Sequence, residues 1–377
     1  MRILILSSST GAGHDSCAKA VKESFDNSGT HCQVAEVLKF ISSGVAGFIT
    51  GAHTVIYRHF PWAFNIGYKY MEDHAAFYSK GTLVNKLLSL GGKKLYKYIT
   101  DGGYDTVICT HPFATVTLAA ALEGKDHNIK TAFVSTDYTC APTIMTKGID
   151  VYFIPDEKLI PEFEKYGIEK DKLKPSGIPV KQVFYENVNI ADAKKQVGID
   201  PNNNHLLVMC GSMGCGPIKN IVKHIAQKNI PNTEITVITG TNKRLKANLK
   251  RLEKVNDNLH IKGFVDNMPL HLNSADLYLT KPGGLSTSEA VSVAVPMVFI
   301  NAVAGCEAHN LKHFVNLGVA VSSKNKSDAG VKCTELLNDK DGIMALKNAF
   351  SGLPKVNSAN YIANYFLENK GEQNENL

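Results

Sequence analysis

Leu279-Thr280-Lys281-Pro282-Gly283-Gly284-Leu285-Ser286-Thr287-Ser288-Glu289-Ala290 is the stretch that decides the fold of this 377-residue chain. Residues 276–280 read as a short buried strand, Pro282-Gly283-Gly284 as a tight turn and Ser286 onward as the start of a helix, so that backbone N–H groups converge on one point. An anion suits that point, because unpaired amides and the helix dipole favour negative charge and glycines let a diphosphate approach the main chain. Beyond Val295-Pro296 comes Gly305-Cys306-Glu307-Ala308-His309-Asn310, where Glu307 opens a second helix with a carboxylate suited to two neighbouring ribose hydroxyls. The leading reading is a nucleotide-diphosphate site. An ordinary strand–turn–helix with a glycine hinge is the alternative, since short glycine motifs recur without ligands.

The same arrangement occurs elsewhere in the chain. Residues 3–7 lead into Ser9-Thr10-Gly11-Ala12-Gly13-His14 and a helix with Ala18, Val21 and Phe25 on one face; residues 205–210 lead into Gly211-Ser212-Met213-Gly214-Cys215-Gly216. Each marks the opening of a doubly wound α/β domain, in which the loop at the strand's carboxyl end faces the ligand crevice. Two Rossmann-like domains follow, and the chain is too long for a single core. Neither loop matches the G-x-G-x-x-G dinucleotide fingerprint, which argues against NAD. Further strands are expected at 104–109, 131–135 and 151–155 in an N-terminal domain of residues 1–178. Others are expected at 234–239, 260–264, 275–280 and 297–300 in a C-terminal domain of residues 179–350. Pro175 to Val180 reads as the linker, and residues 351–377 as a closing helix with a polar tail.

Between residues 39 and 97 the α/β rhythm breaks. Val45, Phe48, Ile49, Ala52, Val55 and Ile56 fall on one helical face, and Arg58, His59, Phe60, Pro61, Trp62 and Phe64 mix aromatic with basic groups. Lys86, Lys93, Lys94 and Lys97 follow. This suits a segment lying in a membrane interface, with aromatics at headgroup depth and lysines toward anionic lipid. A hydrophobic helix packed on its own domain would show the same pattern.

Composition bounds the remaining choices. With 44% hydrophobic and 20% charged residues the chain reads as a soluble globular enzyme. Its net charge of +6 looks mild and dispersed, which argues against nucleic-acid binding. The N-terminus has no signal-peptide core, and no run approaches the roughly 20 apolar residues of a spanning helix, so a cytoplasmic location is expected. The eight cysteines form no Cys-x-x-Cys pair and read as reduced and mostly buried, without a metal.

In order and spacing, the S-x-x-T-G-A-G-H loop, the T-H-P-F and T-D-Y strand ends, the G-S-M-G loop, G-F-V-D-N-M, K-P-G-G-L-S-x-S-E-A and the G-x-E-x-x-N helix resemble the monogalactosyl- and processive diglucosyl-diacylglycerol synthases. These are inverting glycosyltransferases of family 28 with the GT-B fold, two facing Rossmann-like domains with an interdomain cleft. The resemblance implies an α/β hexosyltransferase that moves a hexose from a UDP-sugar to diacylglycerol, or to a monoglycosyldiacylglycerol, to make membrane glycolipid. It implies a peripheral protein on an anionic membrane surface at the cytoplasmic face, needing no metal or other cofactor. Gly211, Ser212, Met213 and Gly214 would border the diphosphate and base, and Phe264 and Val265 would offer main-chain groups to the uracil edge. Gly283, Gly284, Leu285, Ser286 and Thr287 would receive the diphosphate, Glu307 the ribose, and Asn310 the phosphate or sugar. Gly13, His111, Asp137 and Trp62 would line the acceptor side.

His14 is the expected catalytic base. It stands where the first helix begins, and the positive end of the dipole disfavours the protonated imidazole. The chain departs from the family at Cys306, where glutamine is usual, and at His309, so glucose, galactose and an N-acetylated sugar all stay open as donors. A nucleophilic role for Cys306 is not needed by a single displacement. Three rivals remain: a transferase acting on a polyprenyl-linked or soluble acceptor, a UDP-sugar 2-epimerase, and a nucleotide-sugar-sensing peripheral membrane protein.

Overall fold

Short apolar runs bounded by glycine loops and alternating with amphipathic segments build parallel sheets covered on both faces. In the computed structural model, which describes residues 1–8, 12–47, 51, 66, 70, 82–141, 144, 148–214, 216–228, 230–300, 305–323 and 328–368, there are two such sheets. The first contains β1 (Arg2–Ser7), β2 (His31–Glu36), β3 (Thr106–Cys109), β4 (Lys130–Val134), β5 (Val151–Ile154) and β6 (Leu173–Pro175), in the order β2-β1-β3-β4-β5-β6. The second contains β7 (Asn204–Met209), β8 (Thr233–Ile238), β9 (Leu259–Lys262), β10 (Leu277–Thr280), β11 (Met297–Phe299) and β12 (Ala320–Ser322), in the order β12-β11-β10-β7-β8-β9. The strand order reverses between β1 and β3 and again between β7 and β10. In open α/β sheets ligands bind at these switch points, beyond the carboxyl ends of the strands. Strands β2, β6 and β12 were not anticipated; β6 and β12 hold three residues each, too few for a periodic signal.

The two sheets define two compact units, one chiefly Met1–Gln182 with Val356–Leu377, the other chiefly Val183–Val303 with Glu307–Lys355. In the first unit the pleat divides each strand between two cores. Ile3, Ile5, Ile108, Val134 and Phe153 pack beneath the helix Ala12–Asn27. Leu4, Leu6, Val107, Cys109 and Phe133 pack on the other side, under the helices Gly92–Asp101 and Pro112–Leu122. The final helix, Ser358–Glu368, returns to the first unit: Ile362 and Phe366 join the core beside Phe25, and Ser24 Oγ donates to Asn360 Oδ1 at 2.7 Å. Burial of two such side chains stabilises this return by roughly 2 kcal/mol each.

The described part of the insert has two sides. Gly92 lies against Ala120, whose main chain would stand 2.9 Å from an added Cβ, so the helix Gly92–Asp101 crosses its neighbour at close range. Val45 and Ala46 also pack on this core. Facing outward, Leu83 is 68% and Leu90 66% exposed, with Val84, Lys86, Lys93 and Lys94 exposed beside them. Phe48, Ile49, Ala52, Val55 and Ile56, the run from 58 to 64 with Trp62, and the loop residues Ser9, Thr10 and Gly11 lie outside the described residues.

At the amino edge of the second sheet, His205 is buried between Ser274 Oγ at 3.0 Å and Thr236 Oγ1 at 2.9 Å. Burial pushes its imidazole down to about 4, and does the same to the buried His271. Beside them, burial raises the Asp276 carboxyl, but the hydrogen bonds from Lys194 Nζ (2.7 Å) and the His205 amide (3.0 Å) outweigh it and hold the group below its ordinary value. The two histidines are neutral in the native state. As pH falls from 6.5 toward 4 the unfolded chain takes up protons that the native state refuses, so stability is lost across that window, about 3 kcal/mol per histidine. The Asp276 contribution is lost only at lower pH, as the medium passes its depressed folded value. The urea midpoint should therefore drop steeply from pH 6.5 to 4, and His205→Gln should remove about half of that slope. An unchanged slope in the variant would exclude His205 as its source.

Candidate active site

His14 is the third residue of the helix that follows β1. Its Nδ1 lies 2.9 Å from the carbonyl oxygen of Thr110, past the end of β3, and 3.0 Å from Thr136 Oγ1, past the end of β4. A carbonyl can only accept, so Nδ1 carries the proton, the Thr136 hydroxyl accepts its second branch, and Nε2 keeps the lone pair. Thr110 Oγ1 in turn donates to the His14 carbonyl at 3.3 Å. Three adjacent strand ends thus fix one imidazole and its tautomer at the first switch point.

His111 stands edge-on to His14, with ring centroids 4.3 Å apart. Its Nδ1 accepts from the Phe113 amide at 3.0 Å, capping the helix Pro112–Leu122 with Pro112 at the first helical position. His111 is therefore a helix cap that walls the His14 ring. Asp137 is half-buried next to Thr136, and Ser135 Oγ donates to its carbonyl at 3.0 Å. The carboxylate of Glu162 accepts from Thr139 Oγ1 at 2.6 Å and the Cys140 amide at 2.7 Å, pinning the loop that carries Thr136 and Asp137. Gly13 is half-buried beside His14 in the first turn; Trp62 is outside the described residues.

At the second switch point, the helix after β10 runs over Gly284–Ser292 with Gly283 as its cap, two residues earlier than the sequence suggests. An extended Gly283 turns the chain without a further loop residue. The first-turn amides of Gly284, Leu285 and Ser286 have no intrahelical acceptor. The hydroxyls nearby point inward: Thr287 Oγ1 lies 2.8 Å and 2.9 Å from the carbonyls of Gly283 and Gly284, and Ser286 Oγ donates to Gly283 at 3.2 Å. An anion above this turn meets main-chain N–H groups, while Thr287, fully buried, shapes the turn.

A second helix, Cys306–Asn316, clamps the turn from its side. Lys281 Nζ pairs with Glu307 Oε1 at 3.2 Å, and Asn310 Nδ2 donates to the Pro282 carbonyl at 3.0 Å. Asn310 and Glu307 are both buried, and the Asn310 bond braces the turn from beneath. On the neighbouring strand, Gly211 and Gly214 take positive φ, and the loop is locked by Thr241 N donating to Ser212 O (2.9 Å) and Asn242 Nδ2 donating to Gly214 O (3.0 Å). Met213 and Phe264 are exposed, Phe264 by 70%, with Val265 half-buried beside it. Lys281, Gly240, Thr241 and Asn242 were missed from sequence, although Thr239-Gly240-Thr241-Asn242 ahead of Lys243 carries a strand-end glycine and a helix cap.

Among the described residues no group of three or more His, Cys, Asp and Glu is placed to hold a metal ion. The described cysteines are free thiols, and burial pushes Cys17, Cys109, Cys140 and Cys333 far up from the ordinary value, which leaves them unreactive. Cys306 is half-buried at the start of its helix.

Two family models match the chain: monogalactosyldiacylglycerol (MGDG) synthase over residues 14–180, and the glycosyltransferase family 28 C-terminal domain over residues 205–345. The chain is similar to a processive diacylglycerol beta-glucosyltransferase of Bacillus subtilis, 26% identical, with 97% of this chain and 95% of that protein covered. A Staphylococcus saprophyticus protein of the same description is 30% identical over 68% of this chain and 66% of its own length. Among solved structures, Acinetobacter baumannii MurG aligns with a TM-score of 0.58 at 16% identity, covering 97% of this chain and 99% of that one. A Staphylococcus aureus MnaA–UDP co-structure aligns at 0.63 and 12% identity, covering 97% and 95%. At such identities these structures show the fold alone, which is GT-B. Both halves of the molecule, each with its glycine loop at the switch point of its sheet, match successive domains of one enzyme type, and the chain belongs to the monogalactosyldiacylglycerol synthase and processive diacylglycerol glucosyltransferase family, glycosyltransferase family 28.

Proposed function

We propose that this protein is an inverting glycosyltransferase that moves a hexose from a UDP-sugar to the free hydroxyl of diacylglycerol or of a monoglycosyldiacylglycerol. The observation that carries the reading is the fixed tautomer of His14, whose Nε2 lone pair is available for an acceptor proton. In the transfer, the acceptor hydroxyl gives its proton to Nε2 while its oxygen bonds to the anomeric carbon on the face opposite UDP. The bond from that carbon to the diphosphate oxygen breaks and the electron pair leaves with UDP, so an α-linked donor gives a β-linked product.

On the donor side, the amides of Gly284, Leu285 and Ser286 meet the charge that develops on the departing diphosphate. Glu307, steadied by Lys281, accepts from the ribose hydroxyls. Gly211, Ser212, Met213 and Gly214 border the diphosphate and base, and Phe264 and Val265 offer main-chain groups to uracil. Gly13, His111 and Asp137 shape the acceptor side. The outward apolar residues Leu83, Val84 and Leu90, flanked by Lys86, Lys93 and Lys94, support a peripheral contact with the cytoplasmic face of an anionic membrane, and among the described residues no helix is long and apolar enough to cross it.

The test is UDP release from a panel of UDP-sugars, with and without diacylglycerol in liposomes, followed by mass analysis of the lipid. Lipid-dependent release with a product heavier by one or more hexoses and β-linked supports the reading. Release without a heavier lipid, or an α-linked product, overturns it.

A further inference from the structure

Positive charge is dense in two stretches of this chain, the insert of residues 39–97 and a segment of the second unit. Between Ile218 and Lys254 there are nine lysines and arginines and two carboxylates, a local excess of seven in a chain whose total excess is six. Outside these two stretches the chain is net acidic. In the second unit, the segment supplies the two helices that connect β7 to β8 and β8 to β9, Ile218–Lys228 and Lys243–Glu253. These strands follow one another in the sheet, so right-handed crossovers put both helices on the same face. They share one core, in which Ile218, Ile221, Val222 and Ile225 pack with Leu249, so their outer sides form one surface.

That surface is cationic throughout. The first helix exposes Lys219, Lys223 and Lys228 and has no acidic residue; the second exposes Lys243, Arg244, Lys246, Lys250 and Arg251, with Lys254 just past its end. Neither carboxylate neutralises it. Glu234 is taken up by Asn203 Nδ2 (3.0 Å), the Asp200 amide (2.8 Å) and His260 (2.8 Å). Glu253 accepts from the Ile261 amide at 2.7 Å and pairs with Lys250 alone. Each helix is 11 residues long, about 16 Å, so the charge extends well beyond the reach of one diphosphate. Val255 is the one large apolar side chain exposed on these helices or the residues just after them. Charge without insertion fits a surface that rests on a layer of anionic headgroups.

We infer that this face of the donor-binding unit docks electrostatically on anionic phospholipid, a contact separate from the apolar residues of the first unit. The inference rests on the lipid-acceptor reading above only for its choice of a membrane over another polyanion. It is tested by comparing partition of the protein onto phosphatidylcholine vesicles and onto vesicles with added phosphatidylglycerol, for the wild type and for Lys223→Gln/Lys250→Gln/Arg251→Gln/Lys254→Gln, none of them among the proposed donor-binding residues. Each cation near an anionic surface is worth about fivefold in partition, so the variant should lose the preference for phosphatidylglycerol vesicles by a hundredfold or more. High salt should abolish the wild-type preference. A variant that keeps the wild-type preference overturns the proposal, as does a wild type that prefers a DNA duplex to anionic vesicles at equal salt. Turnover of diacylglycerol dispersed in neutral detergent should be equal in the two proteins. If both lack it, the functional reading fails while the vesicle result still decides the docking face.

Discussion

His14→Ala is expected to lower turnover by about 10²–10⁴-fold, the range in which a positioned general base contributes, while leaving UDP affinity near the wild-type value. The two effects separate because His14 is in the first unit and the proposed donor groups are in the second. Thr110 offers a main-chain carbonyl, so no side-chain substitution removes that acceptor, and a shorter residue at position 14 loses the hydrogen bonds to Thr110 and Thr136, at about 1 kcal/mol each. Thr136→Val is a finer probe. It deletes the second branch at Nδ1, leaves the first, and should cost about tenfold in kcat with the tautomer unchanged. Turnover by His14→Ala within a few-fold of wild type, at unchanged thermal stability, would remove His14 from the chemistry.

How much of this was legible in the sequence depended on how far apart the partners lie in the chain. Nine of the twelve strands follow from local apolar runs and turn residues and are legible within a residue or two, while β2, β6 and β12 are not. His14 was visible as a histidine at a helix start. What makes it a base was not visible, because its two Nδ1 partners come from 96 and 122 residues further on. Lys281 sits in the quoted stretch yet its pairing with Glu307 appears only when the helix Cys306–Asn316 folds against the turn. The hydrogen bonds of Thr287 and Asn310 to the turn are hidden in the sequence for a similar reason. Their polar groups are spent on carbonyls of the same turn, and a sequence gives residue type without direction. Charge behaved likewise: spread along the chain it looked dispersed, but two crossovers of one hand gather nine cations on one surface.

Gly283→Ala should leave the fold intact and remove donor binding, with kcat/KM reduced about 10²-fold or more and the urea midpoint unchanged. The contrast with the other glycines of this region makes the argument. At Gly240, φ is +55° and an added Cβ would lie 2.0 Å from the Ser212 carbonyl oxygen; at Gly214 it would lie 2.3 Å from that of Thr239. Those glycines serve the interlocked loops, and Gly240→Ala should cost stability, of order 3 kcal/mol. Gly283 has φ −81°, which any residue adopts, and the nearest atom to an added Cβ is Ser286 Oγ at 3.4 Å, an ordinary contact. Among the described residues nothing requires glycine there. A requirement can come only from what occupies the space above the turn, where a methyl group would hold a diphosphate away from the amides of Gly284, Leu285 and Ser286. Hydrogen bonds from amides to a charged oxygen weaken steeply beyond about 3.2 Å, so a displacement near 1 Å removes most of their worth. Isothermal titration with UDP and a urea melt on the same sample decide the matter. Wild-type UDP affinity in Gly283→Ala would place the diphosphate elsewhere, and a lowered midpoint would return Gly283 to the structural glycines.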